Sequence, residues 1–210
     1  MSEARGAPAR GAERADAARN RRAVLQATER LLAEGAGNGR GGGVGGASGE
    51  HVSLDRVAAL AGVGKGTVFR RFGNRAGLFA ALLEERSRAL RAAVADGPPP
   101  LGPGAPPRER LLAFLDGLGA IAEGNALLLT AHEQACADDK YDDPSYQFWH
   151  RHLAGLLAEA GHPPEDADFL AHTVLAVFDG ALVRRLTTPD EPRRFTRSVQ
   201  TLATTLLDGA

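Results

Sequence analysis

SLDRVAALAGVGKGTVFRRFGNRAGLF, residues Ser53 to Phe79, is the stretch whose reading decides the fold. Ser53 is placed to N-cap a helix, with Asp55 in the first turn where the helix dipole favours negative charge. Leu54, Val57, Ala58 and Ala61 line one face at helical spacing. Gly62 then stops the helix, because glycine enters the left-handed region without steric cost. Val63 turns inward, and a second short helix carries Val68 and Phe72 four residues apart. Ala58 is small where two helix backbones must approach, and Val63 and Val68 plug the angle between them. This is the packing logic of a helix-turn-helix. The outer face of the second helix is left with Lys65, Gly66, Thr67, Phe69, Arg70 and Arg71. Its small N-terminal residues let backbone and dipole approach phosphates or base edges, and its cations supply charge and donors. A plain helical hairpin with a solvated basic face has the same local pattern, so spacing alone leaves both readings open.

Upstream, a helical pattern runs from Asp16 to Gly35, with Val24, Thr28, Leu31 and Leu32 on one face. Residues 1–16 are rich in Ala, Gly and Arg and are expected to form a disordered basic arm. Residues 35–49, GAGNGRGGGVGGASG, read as a flexible loop. No Gly-Lys-Ser/Thr follows it, so its glycines do not form a phosphate-binding loop. Downstream, Asn74 caps a helix with Leu78, Phe79, Leu82 and Leu83 inward, which fades near Asp96. GPPPLGPGAPP then forms a linker that no helix crosses. Further helices are expected over Pro107–Gly124, Asn125–Cys136, Ser145–Ala160, Pro164–Thr187 and Pro192–Leu207. No segment alternates like a strand, so the expected fold is all-α.

The Ser53–Phe79 segment resembles the signature of the tetracycline-repressor (TetR) family, of the form I-A-x-x-A-G-V-S-x-G-x-x-Y-x-x-F-x-x-K-x-x-L. Val57, Ala58, Ala61, Gly62, Val63, Gly66, Phe72 and Leu78 fall on it in order. The helix from Arg21 to Gly35, with RAVLQATERLLAEG, is similar to the family's first helix. The resemblance spans residues 17–83; beyond, only helix order and VFDGALV (177–183) carry it. It implies a three-helix DNA-binding domain over 17–83 and a helical ligand-binding and dimerisation domain over 84–210. The chain departs from the pattern in several places. Gly64 replaces a capping Ser or Thr, and Phe69 replaces a tyrosine whose hydroxyl reaches a phosphate. Arg71 stands where His or Tyr is common, Arg75 replaces a lysine with its charge kept, and the first loop is longer than usual.

Charge supports the division. Residues 1–96 hold 16 Lys/Arg against 10 Asp/Glu, whereas residues 97–210 hold 9 against 16. A basic first half and an acidic second half suggest that only the first meets a polyanion. One cysteine, Cys136, makes no intrachain disulfide and fits a reducing cytoplasm. No apolar run reaches the roughly 18 residues of a membrane span, and residues 1–22 contain no apolar core of a secretory signal. The expected setting is therefore cytoplasmic, without a membrane partner.

Under this reading the DNA contacts are Ser53, Lys65, Gly66, Thr67, Phe69, Arg70, Arg71 and Arg75. Lys65 and Thr67 read bases, while Arg71 and Arg75 hold phosphates. The second domain shows no catalytic signature, so no enzyme activity and no cofactor are expected. His132, Glu133 and Cys136 share a helix face, but HEQAC is not HExxH, and no metal is assigned. The ADDKYDDP stretch lacks the spacing of a calcium loop. His150 and His152, two residues apart, face different sides of a helix. Phe114, Leu118, Leu128, His132, Phe148, Trp149 and His152 are candidate walls of a pocket for an apolar effector. The last two helices are expected to form the homodimer interface, with Val199 and Leu202 in it and Gly180 and Ala181 allowing close approach. The reading is a repressor that an effector releases from operator DNA. The alternatives are a helical-bundle enzyme and a DNA-binding regulator without a small-molecule ligand.

Overall fold

A computed structural model of the chain describes residues 7–38, 51–136 and 140–209, with side chains described from residue 13 to 35 in the first segment. Among these residues the fold is all-α, as expected: ten α-helices, one 3₁₀ turn and no strand. The chain divides after Leu82 into two compact units.

The first unit holds α1 (Ala7–Asn38), α2 (Leu54–Ala61), α3 (Lys65–Phe72) and the first turns of α4 (Arg75–Asp96). Helix α1 starts at Ala7, earlier than the sequence pattern near Asp16. Residues 7–19 are mostly Ala and Arg, strong helix formers, and Pro8 sits in the first turn where proline is tolerated. Residues 1–6 of the expected arm, and 39–49 of the expected loop, lie outside the described residues. Val24, Leu25, Ala27 and Leu31 of α1, Val57 and Ala58 of α2, Val68 and Phe72 of α3, and Leu78, Phe79 and Leu82 of α4 are all buried. Val52 is fully buried beside them, and His51 Nε2 donates to the Leu31 carbonyl (2.6 Å), tying the start of α2 back to α1.

The second unit is organised by α5 (Pro107–Gly124), which packs chiefly on α10 (Arg194–Asp208) and then α7 (Pro144–Glu159). Helix α6 (Ala126–Ala135) packs on α9 (Gly180–Leu186), and α7 on α8 (Pro164–Ala176). Phe114 and Leu115 of α5, Leu153, Leu156 and Leu157 of α7, and Phe195 of α10 are among the most deeply buried core residues.

Two sequence expectations are corrected here. The segment 164–187 is two helices, not one. Asp179 caps α9 by accepting from Leu182 N (2.8 Å), and the Glu133 carboxylate accepts from Gly180 N (3.0 and 3.1 Å). A side chain added at Gly180 would meet Thr130 N at 2.5 Å, so that glycine serves close approach to α6 inside the chain. Val199 is also spent within the chain: it is 3% exposed and belongs to the core beneath α10. Gly119 of α5 admits Thr196 of α10, where a Cβ would sit 2.5 Å from Thr196 Oγ1.

Gly62 has φ 67° and ψ 29°, and a Cβ added there would meet nothing within 4 Å. Replacement by alanine therefore isolates the backbone cost. Gly62→Ala should destabilise the first unit by about 1–2 kcal/mol. Urea unfolding followed by circular dichroism would measure it; an unchanged midpoint would refute the strained-turn account.

Candidate functional site

Ser53 caps α2 by accepting from Arg56 N (3.2 Å). Gly62 ends α2, its N–H directed at the Ala58 and Ala59 carbonyls. Gly64 then occupies the N-cap of α3 without any side-chain cap. Asn74 Oδ1 accepts from Gly77 N (2.9 Å) and so starts α4. These local stops hold α2 and α3 as a bent pair whose inner side is closed by Val57, Ala58, Val68 and Phe72.

The opposite side of α3 is open. Lys65, Gly66, Phe69, Arg70 and Arg71 are exposed, and Phe69 at 63% is the least covered aromatic of this unit. Thr67 is half-buried, and a side chain at Gly66 would touch nothing within 4 Å. Two of the cations have local partners. Lys65 Nζ pairs with Asp55 of α2 (2.8 Å), and Arg71 Nη1 donates to the Ala17 carbonyl of α1 (3.0 Å). Arg21 of α1 lies over the Phe72 ring at 5.9 Å. Arg75 is half-buried in the first turn of α4. The eight residues named from sequence thus lie on α3 and at the helix ends beside it. The signal missed was the Asp55–Lys65 pair, ten positions apart and carried by the turn.

Residues 49–82 match the profile of the family described as "Bacterial regulatory proteins, tetR family". This segment is similar to the DNA-binding head of tetR-family regulators. The match starts at the last residue of the glycine-rich stretch, so α1 stands outside it although the sequence resemblance began at residue 17. No curated protein matches the chain significantly. Among solved structures, a candidate fatty acid metabolism regulator of Clostridium perfringens superposes with a TM-score of 0.57 at 17% identity. The alignment covers 90% of this chain and 98% of that one. A TetR transcriptional regulator of Streptomyces coelicolor aligns with a TM-score of 0.44 at 26% identity, covering 90% and 97%. The first likeness is one of fold.

Downstream of the helix-turn-helix, the seven residues proposed as a pocket do not form one group. Phe114, Trp149, Phe148 and His152 come together: ring centroids lie 5.5 Å apart for Phe114–Trp149, 4.9 Å for Phe114–His152 and 4.8 Å for Phe148–Trp149. Leu118 is buried in the same core. Arg91 stacks on this cluster, 4.3 Å from the Phe148 ring and 4.9 Å from Trp149. Leu128 and His132 sit on α6, outside that core cluster. His132 Nε2 is 3.5 Å from Cys136 Sγ, while Glu133 turns to cap α9, so HEQAC assembles no three-ligand set.

A cleft of about 320 Å³ between α7 and α8 is lined by none of those seven residues. Tyr146 and His150 reach it from α7, Asp168 and His172 from α8. Sequence reading placed His150 and His152 on different sides of one helix, and the structure does so. It could not foresee that α8 brings a second imidazole to His150.

Burial pushes the His152 pKa down to about 4, with the Arg110 charge adding to the effect, and its Nε2 has no hydrogen-bond partner. The folded protein thus binds fewer protons here than the unfolded chain between about pH 4 and the usual histidine value near 6.5. Stability should be full above that window and fall as pH drops through it. Between pH 7.5 and 5 this site should cost on the order of 1–2 kcal/mol. Urea titrations at both pH values should show His152→Gln losing less stability than the wild type; equal losses would contradict the assignment.

Proposed function

We propose that this chain is a TetR-type repressor that binds operator DNA as a homodimer and is released by a small, largely apolar effector. The observation that carries the DNA reading is the uncovered outer face of α3, with Lys65, Thr67, Phe69, Arg70 and Arg71 on one short helix. Lys65 and Thr67, at its N-terminal end, read base edges in the major groove. Arg71 and Arg75 hold phosphates, Arg70 reaches either, and Gly66 and the Ser53 cap let the backbone come close. Lys65 exchanges Asp55 for DNA on binding. Such an exposed pair is worth only about 0–1 kcal/mol, so the exchange is cheap.

The dimer reading moves from Val199 to α8 and α9. Phe169 is 68% exposed and Leu182 36%, large apolar side chains that the monomer leaves in water. The effector reading rests on the Phe114–Phe148–Trp149–His152 group. His152 Nε2 and Arg91 Nε are buried there without hydrogen-bond partners, which suits an apolar molecule with one acceptor group. An effector that binds best when the two recognition helices are not spaced for the operator weakens DNA binding, and DNA weakens effector binding equally. A protein of this design needs no catalytic group, and this favours a regulator over a bundle enzyme. It acts in the cytoplasm, where operator DNA is found.

Each role predicts a different result. In salt titrations of operator and scrambled DNA, Thr67→Ala should reorder operator variants. Arg75→Ala should weaken all sequences alike and lower the salt slope by about one. Phe69→Tyr should tighten binding about two- to tenfold by restoring one phosphate hydrogen bond. Retained operator binding with Lys65, Thr67 and Arg71 all changed to alanine would overturn the use of α3.

Light scattering at micromolar concentration should give the mass of two chains. Phe169→Glu should give folded monomers with lost operator affinity, and a monomeric wild type would end the dimer reading. Loss of DNA binding on exposure to apolar acceptors, blunted in Trp149→Ala, tests the effector; a regulator unmoved by a broad library acts without one.

A further inference from the structure

Tyr146 and His150 stand four residues apart on α7, and Asp168 and His172 four residues apart on α8, so each pair shares one helix face. The two faces meet in the cleft, with the imidazole centroids of His150 and His172 only 3.9 Å apart. His150 Nε2 lies 3.5 Å from Asp168 Oδ1. One ligand atom from each of His150, Asp168 and His172 falls within 4.8 Å of the others. Adjacent ligand atoms around a tetrahedral zinc with Zn–N near 2.0–2.1 Å are about 3.3 Å apart. The spacing found is thus within small side-chain rotations of a coordination shell.

A second, independent contact supports the same use. Tyr146 Oη and His172 Nδ1 are 2.6 Å apart. In the tautomer that donates Nδ1–H to the tyrosine oxygen, the lone pair of His172 lies on Nε2. This is the outer-shell arrangement that orients metal-binding imidazoles. Asp168 is exposed and the histidines half-buried, so an ion can enter from solvent and keep water in its remaining positions.

We infer that His150, Asp168 and His172 form a binding site for a divalent first-row transition metal, of the zinc, cobalt or nickel class, that bridges α7 and α8. Two imidazoles and one carboxylate suit such ions, whereas magnesium and calcium prefer oxygen alone. The site shares no residue with the Phe114–Trp149 group or with the DNA-binding face, and it stands whether or not an apolar effector exists.

The test is titration of the untagged full-length chain with cobalt(II) alone, read by its visible absorption, followed by displacement with zinc. One cobalt per chain is expected, with an absorption rise that zinc abolishes and a higher Tm because the ion links two helices. Asp168→Asn and His172→Asn should each weaken binding at least tenfold, and Tyr146→Phe about tenfold through the lost outer-shell contact. Cys136→Ser and His132→Gln should change nothing. Circular dichroism in chelator checks that each variant folds. If His172→Asn does not fold, the exposed Asp168→Asn and the mild Tyr146→Phe decide the matter. No cobalt binding, binding unchanged in Asp168→Asn and Tyr146→Phe, or binding lost in Cys136→Ser would each overturn the site.

Discussion

At Gly62 the backbone takes φ 67° and ψ 29°, and its N–H turns back to the carbonyls of α2. That turn sends α3 away from α2 at an angle small enough for Val57 and Ala58 to meet Val68 and Phe72. With the inner side of α3 closed in this way, its outer side has nothing in the unit to pack on. The exposure of Phe69 and the basic residues beside it follows from the turn and not from any separate device. A residue with a Cβ at position 62 would strain the one torsion on which this geometry depends.

Much of the head was legible because its signals are local. Ser53, Gly62 and Asn74 act on backbone groups within a few residues, and sequence alone places them correctly. His51 and Val52 were missed for the opposite reason. The partner of His51, Leu31, lies twenty residues back across a glycine-rich stretch, and no periodicity links the two. The same limit explains Val199. An apolar stripe states that something must cover it, not whether the cover is a symmetry mate or another helix of the chain. Here Gly119 leaves room for α10 to approach α5, a fact that appears only when the two helices are side by side.

The charge asymmetry between the halves was also legible, but not the state of individual cations. Lys65 and Arg71 have partners within the head, at 2.8 Å and 3.0 Å. Both contacts are exposed, so each is weak and easily replaced by a phosphate. Their effect is to limit where the long side chains wander before DNA arrives. A phosphate binds a side chain already near its bound position more cheaply than one free in solvent, since less rotamer entropy is lost.

Helix α7 shows how far a single helical period can be read. Its residues 146, 147, 150, 151 and 154 line one side, toward α8, whereas Trp149, His152, Leu153 and Leu156 form the other, toward the core. The spacing of two between His150 and His152 is enough to separate them. It does not say what each will meet. His152 enters a cluster of rings where its Nε2 has no hydrogen-bond partner, and burial keeps it neutral. His150 meets Asp168 and His172, which share a face only because α8 spaces them by four. Opposite environments for one residue type thus arise from two periodicities in register. The second of them, on α8, carries no sequence mark that ties it to the first.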